Sequence, residues 1–186
     1  MIMDKTNRFL IIAITSPYFI ENEGAIISNI IEKGEADLIH IRKPQSAKEE
    51  VRKLIRDISP QLHHRLKLHD HFSLMDEFNL AGIHLNNRNP EPYPNAKNIS
   101  KSLHYISELD TIEEYDYVTL SPIFDSISKN GYTSSFDLDT LASFIKNKNV
   151  IALGGVTPFK IPLLKEKGFY GAAMLGYFFN PYTPLG

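Results

Sequence analysis

Short runs of apolar and β-branched residues, separated by longer stretches of mixed polarity, set the pattern of this chain. In most of these runs the apolar residues occupy successive positions rather than alternate ones, which is typical of strands buried on both faces. The runs predicted as strands are Phe9–Ile14, Asp37–Ile41, Leu66–His69, Ala81–Leu85, Ile99–Leu103, Tyr117–Ser121, Val150–Leu153 and Gly171–Leu175.

Helical patterns occupy the stretches between these runs. Ala25–Lys33 carries isoleucines at helical spacing, and Gly34 follows it as a stop signal. Ser46–Glu49 has the form of a capping box, which predicts a helix that continues to Ile58. The remaining predicted helices are Phe72–Asn79, Leu138–Lys146 and one that begins at Thr157-Pro158 and ends at Gly168.

Strand and helix alternate along the whole chain without a long polar linker or a low-complexity tract. Such alternation favours parallel strands joined by right-handed helical crossovers, and eight strands favour a closed barrel with its active site where the strands end. We therefore predict an α/β fold in which residues 1–186 form a single (β/α)8 TIM-barrel domain. A doubly wound open sheet with fewer strands is the alternative.

The chain after the last predicted strand is short. Residues 176–186 allow one helical turn before the prolines of Asn180–Pro184 interrupt it. The last covering helix of the barrel is therefore expected to be missing. Either the sequence is a trimmed product, or another subunit covers this part of the wall, as in a homodimer.

Composition narrows the class of protein. The chain is 42% hydrophobic, has a net charge of -2 and contains no cysteine. A nucleic-acid-binding domain would carry a concentrated basic face, and a membrane span would need about 20 apolar residues in succession. Since the amino-terminal residues do not resemble a signal peptide either, we expect a cytoplasmic protein that binds neither nucleic acid nor membrane.

The loop after the sixth run carries the most informative polar residues. Ser126, Ser128 and Lys129 follow the strand directly, and Gly131 closes the segment. Hydroxyl groups, backbone amides and an ammonium group together suit a phosphate ester. A serine-rich turn without a ligand is the alternative.

Glycines follow the seventh and eighth runs. Gly154 and Gly155 let a backbone approach an anion closely, and Leu175-Gly176 repeats the arrangement. The loops after strands seven and eight are the usual phosphate site of TIM barrels. The three loops together predict small phosphorylated substrates.

Charged and amide side chains follow the second, third and fourth runs. Arg42 shares a strand face with His40 and can bind a phosphate or carboxylate through two hydrogen bonds. Asp70 can hold one magnesium ion against a pyrophosphate, or it can cap the helix predicted at Phe72–Asn79. Asn89 supplies an amide where a metal site would favour a carboxylate.

Histidines near the same strand ends raise the question of a transition-metal site. His69 and His71 have the spacing to share one side of a strand, but no third ligand has a recognisable spacing from them. His84 lies inside the fourth run, where a hydrogen-bonded core histidine is the more frequent case. A histidine metal site is therefore the less favoured interpretation.

These segments together resemble the thiamine phosphate synthase family, which includes the related thiazole tautomerases. The resemblance extends over nearly the whole chain, and its motifs are Ile41-Arg42, Leu66–Asp70, Ala81–Leu85, Tyr117–Gly131, Ile151–Val156 and Gly168–Phe178. It implies a transferase of thiamine biosynthesis on a TIM barrel. Such an enzyme couples a pyrimidine pyrophosphate to a thiazole phosphate and releases pyrophosphate, with Mg²⁺ as cofactor.

The resemblance also implies roles for individual residues. The expected catalytic residues are Lys129, Arg42 and His40, with Asp70 as the metal ligand. The expected substrate and phosphate ligands are Ser102, Ser126, Ser128, Lys129, Gly154, Gly155, Leu175 and Gly176. Because Asn89 stands where the family has a second carboxylate, a weakened magnesium site is expected.

Two other functions remain open. Ile39–Arg42 resembles the second strand of the tautomerase branch, which acts on a thiazole carboxylate phosphate without a metal, and His40 would suit its proton transfer. However, Pro122 stands where that branch has its catalytic histidine. A paralogue that binds thiazole phosphate without turnover is the third possibility.

Overall fold

A closed barrel of eight parallel strands forms the centre of the fold, in a computed structural model that describes residues 8–94, 96–125 and 136–182. The strands are β1 Leu10–Ile14, β2 Leu38–Ile41, β3 Leu66–Leu68, β4 Gly82–Leu85, β5 Ile99–Leu103, β6 Tyr117–Leu120, β7 Val150–Ala152 and β8 Gly171–Met174. Each strand pairs with the next in sequence, and β1 pairs with β8 in parallel. The predicted (β/α)8 barrel is confirmed, and the open-sheet alternative is wrong because the first and last strands are hydrogen-bonded neighbours.

Helices and 3-10 turns connect the strands. The helices are α1 Glu23–Glu32, α2 Lys48–Arg56, α3 Leu138–Ile145, α4 Ile161–Glu166 and α5 Gly176–Phe179. The 3-10 turns are Pro60–Arg65, Phe72–Asp76, Ile106–Thr111, Pro158–Lys160 and Asn180–Tyr182. The described chain after β8 thus holds one four-residue helix and one 3-10 turn. No described helix combines the length and the apolar character that a membrane span requires.

Two local predictions were wrong in detail. The capping contacts of α2 centre on Ala47, because Glu50 Oε2 accepts its backbone N–H at 2.8 Å, whereas Ser46 Oγ donates to the carbonyl of Lys43. Between β3 and β4 the predicted helix is the 3-10 turn Phe72–Asp76, preceded by His71 at a φ of 56°. A left-handed residue at this point turns the chain sharply away from the strand.

The barrel has an apolar outer layer and a mixed interior. Ile27, Ile55, Leu141 and Leu164 are fully buried between helices and strands. Inside the barrel, a small apolar cluster that includes Ile12, Ile14 and Ile151 lies beside buried polar side chains. These polar side chains lie beneath the rim where the strands end.

Candidate active site at the carboxyl rim of the barrel

The described candidate residues lie at one end of the barrel because all eight strands run in the same direction. Arg42 and Asp70 follow β2 and β3, Asn89 follows β4, and Ser102 lies near the end of β5. Gly154 and Gly155 follow β7, and Leu175 and Gly176 follow β8. The proposed phosphate ligands Ser126, Ser128 and Lys129 lie outside the described residues, so their role stays a prediction.

Asp70 is surrounded by hydrogen-bond donors. Its Oδ1 accepts Arg88 Nη2 at 3.0 Å and Nε at 3.3 Å, and Asn89 Nδ2 at 3.1 Å. Its Oδ2 accepts the backbone N–H of Lys43 at 3.2 Å. Since the side chain is directed to these partners and His71 is the residue that precedes the 3-10 turn, the alternative role of Asp70 as a helix cap is wrong.

The loop after β4 holds Arg88 in place. Asn86 and Asn89 form an isolated antiparallel bridge through two backbone hydrogen bonds of 3.1 and 3.0 Å. Their side-chain amides both donate to the carbonyl of His69 at 2.9 Å, and Asn86 Oδ1 accepts the backbone N–H of Arg88 at 3.1 Å. The loop is therefore fastened to the end of β3, beside Asp70.

Arg42 lies close to the same carboxylate. Its backbone N–H donates to Thr15 Oγ1 at 2.9 Å, which fixes the start of the loop after β2. Burial lowers the pKa of Arg42, the nearby Arg88 lowers it further, and Asp70 opposes both effects. Within the described ranges the Arg42 guanidinium forms no hydrogen bond, so no described residue occupies its donors.

The side chain of Lys43 is directed to the loop after β1. Its Nζ lies 2.7 and 2.8 Å from the two carboxylate oxygens of Glu23 and also donates to the carbonyls of Ser16 and Tyr18. The side chain is fully buried. Burial lowers the pKa of Lys43 and raises that of Glu23, and their mutual hydrogen bond partly offsets both changes. These contacts join the start of the loop after β2 to the loop after β1 and to the first residue of α1.

His40 spans the interior of the barrel. Its Nε2 lies 2.6 Å from the hydroxyl of Tyr117 on the opposite wall, and its Nδ1 lies 2.8 Å from His69 Nε2. The ring is 0% exposed. Burial, with smaller contributions from neighbouring charges, holds the pKa of His40 and of His69 well below the usual range. Both imidazoles are therefore neutral near pH 7.

His84 belongs to the same buried group. Its Nδ1 and Nε2 each lie 2.8 Å from a serine hydroxyl, those of Ser100 and Ser102. Burial lowers the pKa of His84 to about 3. The hydroxyl of Ser102, predicted to lie near the pyrophosphate, is thus directed to a histidine inside the barrel.

The three histidines meet the distance requirement for a metal site, since their ligand atoms lie within 4.8 Å of one another. However, the rings of His69 and His84 stack at 4.3 Å, and both nitrogens of His40 and of His84 have hydrogen-bond partners. Metal binding would require several of these bonds to break inside a buried core. The cluster is explained as a hydrogen-bonded network.

Lys67 was not identified by the sequence analysis, although a lysine between two leucines of a buried strand is a recognisable signal. Its side chain is 1% exposed, and its Nζ lies 4.3 Å from the ring centroid of Tyr117. Burial lowers the pKa of Lys67 to about 7.

The hydroxyl of Thr119, which lies on β6 with Tyr117, is buried without a hydrogen-bond partner in the described part of the chain.

The loop after β7 is packed too tightly for side chains. Gly154 and Gly155 have φ values of 90° and 61°, and a Cβ on Gly155 would lie 2.4 Å from the carbonyl oxygen of Asp125. The backbone N–H of Phe124 donates to the Gly154 carbonyl at 3.1 Å. The two glycines therefore bring this loop against the start of the loop after β6.

The loops after β1 and β8 border a cavity at the rim. Its volume is about 460 Å³, and Tyr18, Phe19, Leu175 and Asn180 are among its lining residues. A Cβ on Gly176 would lie 2.9 Å from Asn180 Nδ2. Leu175 thus contributes an apolar wall, and Gly176 allows the close approach of Asn180.

Arg88 and His104 are rim residues that the sequence analysis did not select. A basic residue among asparagines directly after a predicted strand is the sequence signal that indicates Arg88. His104 follows β5 and is exposed, with its Nδ1 3.2 Å from the carbonyl oxygen of Ser121 and 3.3 Å from its hydroxyl. The contact places an imidazole next to Pro122.

Comparisons with known proteins agree on a family. The chain matches the family model described as thiamine monophosphate synthase over residues 11–177. It is 25% identical over 155 residues to a thiamine-phosphate synthase of Leuconostoc citreum, with 77% of this chain and 70% of the relative covered.

Solved structures give the same result. A thiamine phosphate pyrophosphorylase from Bacteroides thetaiotaomicron is 37% identical with a TM-score of 0.79, covering 91% of this chain and 83% of that one. A thiamine phosphate pyrophosphorylase from Pyrococcus furiosus, 18% identical with a TM-score of 0.70 and covering 91% and 87%, shares the fold. The family match over residues 11–177 includes all or nearly all of each of the eight strands, and the chain belongs to the thiamine monophosphate synthase family.

Proposed function

We propose that this protein is a thiamine phosphate synthase, a transferase that couples a pyrimidine pyrophosphate to a thiazole phosphate. Family membership supports the reaction class. The observation that carries the proposal is the pair of guanidinium groups, Arg42 and Arg88, beside Asp70 at the rim. Two such groups suit a pyrophosphate, because each guanidinium can bind phosphoryl oxygens through two parallel hydrogen bonds.

The coupling needs no redox partner. The bond between the pyrimidine methylene carbon and its bridging oxygen breaks, and the electron pair leaves with pyrophosphate. The lone pair of the thiazole nitrogen then forms the new carbon–nitrogen bond. The protein's contribution is to hold the two phosphorylated substrates together and to stabilise the charge on the departing pyrophosphate.

The rim offers candidate ligands for both substrates. Arg42 would hold the pyrophosphate, with Ser126, Ser128 and Lys129 as further phosphoryl ligands. The backbone amides of Gly155 and Gly176 would bind the thiazole phosphate. His40 supports the interior rather than the chemistry, because its ring is fully buried and both of its nitrogens are engaged.

The family implies Mg²⁺ as a cofactor, and the surroundings of Asp70 do not fit it. Mg²⁺ requires oxygen ligands in near-octahedral geometry. Asp70 instead faces N–H donors from Arg88, Asn89 and Lys43. No step of the reaction is therefore assigned to a metal, and magnesium binding stays a prediction to be measured.

Thiazole tautomerase activity is the second candidate. His104 supports it, because its exposed imidazole contacts Ser121, the neighbour of the position where that branch has its catalytic histidine. An imidazole at this place could remove a proton from the thiazole and return it. The Arg42 and Arg88 guanidinium groups would suit a carboxylate as well as a phosphate.

A coupling assay tests the proposal. The protein is mixed with both substrates, with and without EDTA, and both pyrophosphate and thiamine phosphate are measured. Lys129→Ala should lower the rate about 10- to 100-fold, since a hydrogen bond to a charged group contributes about 1.5–3 kcal/mol. Lys146→Ala is the control, because this exposed lysine follows α3 at the opposite end of the barrel.

The same samples distinguish the rival functions. Loss of the thiazole tautomer without pyrophosphate release, abolished by His104→Ala, would replace the synthase with the tautomerase. Thermal stabilisation by thiazole phosphate without either reaction would identify a binding protein. Either result would overturn the proposed coupling activity.

A further inference from the structure

The contact between Asp70 and Arg88 places a fixed positive charge at the expected metal position. Arg88 donates two hydrogen bonds to Asp70 Oδ1, and the side chain of Asp70 is only 10% exposed. We infer that the Arg88 guanidinium takes the place of a divalent cation, so that Arg42 and Arg88 form a metal-independent site for a pyrophosphate group. The inference rests on the proposed function for the identity of this ligand.

The loop geometry makes Arg88 a permanent part of the site. The bridge between Asn86 and Asn89, with the hydrogen bonds of both side chains to the His69 carbonyl, fixes the backbone on either side of Arg88. A guanidinium held in this way loses little further conformational entropy when a ligand binds. Such pre-organisation favours binding.

The same contacts disfavour a cation. Asn89 Nδ2 has two acceptors, Asp70 Oδ1 and the His69 carbonyl. Turning the amide to offer its oxygen to a metal would place that oxygen against both acceptors and lose both hydrogen bonds. A metal would also have to displace the Arg88 guanidinium from the carboxylate, because two cations cannot share one partly buried oxygen without strong repulsion.

The charges balance without a metal. In the family arrangement, two carboxylates would neutralise a divalent cation, and Arg42 would leave one net positive charge. Here Arg88 neutralises Asp70, Asn89 is uncharged, and Arg42 again leaves one net positive charge. The net charge offered to a polyanionic ligand is the same in both cases.

Donors remain free on the ligand side. A guanidinium carries five N–H groups, and Arg88 directs Nε and one Nη2 hydrogen to Asp70. Its side chain is 41% exposed, so the remaining donors can reach a ligand at the rim. The Arg42 guanidinium, without a hydrogen bond in the described part of the chain, completes the pair.

Binding measurements on the full chain test the inference without any turnover. Inorganic pyrophosphate should bind in EDTA by calorimetry, and Mn²⁺ alone should show no binding at millimolar concentration by electron paramagnetic resonance. Arg88→Met should weaken pyrophosphate binding about 10- to 100-fold. The matched control is Arg56→Met, because Arg56 is exposed at the end of α2, on the opposite side of the barrel from the rim.

Two further variants guard against a folding artefact. Arg88→Lys keeps the charge and should retain part of the affinity for pyrophosphate. An affinity loss equal to that of Arg88→Met would show that the paired hydrogen bonds of the guanidinium, rather than its charge, bind the ligand. The double variant Arg88→Asp with Asn89→Asp should gain Mn²⁺ binding and lose metal-free pyrophosphate binding. Circular dichroism and thermal unfolding show whether each variant is folded.

Several results would overturn the inference. These are Mn²⁺ binding to the unmodified protein that disappears in Asp70→Asn, pyrophosphate binding only with added metal, no pyrophosphate binding in either condition, and equal affinities of Arg88→Met and Arg56→Met. Metal-free binding without thiamine phosphate in the coupling assay would instead refute the proposed function and leave this inference standing.

Discussion

At the scale of single residues, the core of this barrel is unusual because it contains buried ionisable side chains. Lys43 is neutralised by Glu23 at 2.7 Å, whereas the Lys67 ammonium group lies over an aromatic ring and forms no ion pair within the described residues. Removing a charge from water is costly unless a partner compensates for it. The two lysines should therefore affect stability in different ways.

Lys67 should make stability depend on pH. Burial lowers its pKa from 10.5 to about 7, so between these values the unfolded chain binds more protons than the folded one. The free energy of unfolding should then rise with pH in this window, by up to about 1.4 kcal/mol per pH unit for this group. Below about pH 7 both states are protonated and the contribution of Lys67 is flat.

Urea unfolding of the unmodified protein and of Lys67→Met at pH 7, 8 and 9 measures this dependence. The difference between the two proteins isolates Lys67, because the effect of the altered packing does not change with pH. Parallel stability curves for the two proteins would show that the lysine is solvated or paired.

At the scale of secondary-structure elements, the conformation of the loops determines where the candidate ligand-binding groups lie. Gly155 and Gly168 both have positive φ values, 61° and 84°. A Cβ on Gly155 would meet the backbone of Asp125 and Phe124, whereas nothing lies within 4 Å of a Cβ on Gly168. An alanine at Gly168 would therefore introduce backbone strain alone, whereas an alanine at Gly155 would introduce both strain and a steric clash.

Gly155→Ala should displace the loop after β7 and reduce binding of thiazole phosphate by at least about tenfold, because strain and clash act together. Gly168→Ala should cost about 1 kcal/mol of stability and leave ligand binding unchanged. Calorimetry with thiazole phosphate and urea unfolding check both variants. Equal binding by the two alanine variants would exclude a role for the Gly155 loop in the phosphate site.

The sequence predicted the strands of the barrel better than the side-chain contacts at the ends of these strands. The eight strands were identifiable because apolar β-branched runs are typical of buried parallel strands, and their order fixed which loops share the rim. Asp70 and Arg88 are 18 residues apart, and their contact depends on the Asn86–Asn89 bridge, which no periodicity indicates. The histidine cluster likewise depends on register across β2, β3 and β4.

Barrel closure is the property of the whole molecule on which the site depends. Gly171 on β8 lies opposite Leu10 on β1, and a Cβ there would lie 2.3 Å from the Leu10 carbonyl oxygen and 2.6 Å from Ile151 Cδ1. The first and last strands can therefore pair closely only with glycine at this position.

Gly171→Ala should destabilise the protein by about 1–3 kcal/mol, because overpacking forces β1 and β8 apart. Urea unfolding followed by far- and near-ultraviolet circular dichroism measures the loss, with Gly168→Ala as a control that leaves the strand pairing intact. Unchanged stability of Gly171→Ala would mean that the β1–β8 seam is loose.

The hydrogen bond between His40 and Tyr117 joins residues 77 positions apart in sequence. During synthesis, His40 on the second strand emerges from the ribosome long before its partner on the sixth. A nascent chain that stops short of Tyr117 therefore leaves one side of that imidazole unsatisfied. A barrel divided into two fragments, with one of these strands in each, would likewise lack this hydrogen bond until the fragments assemble.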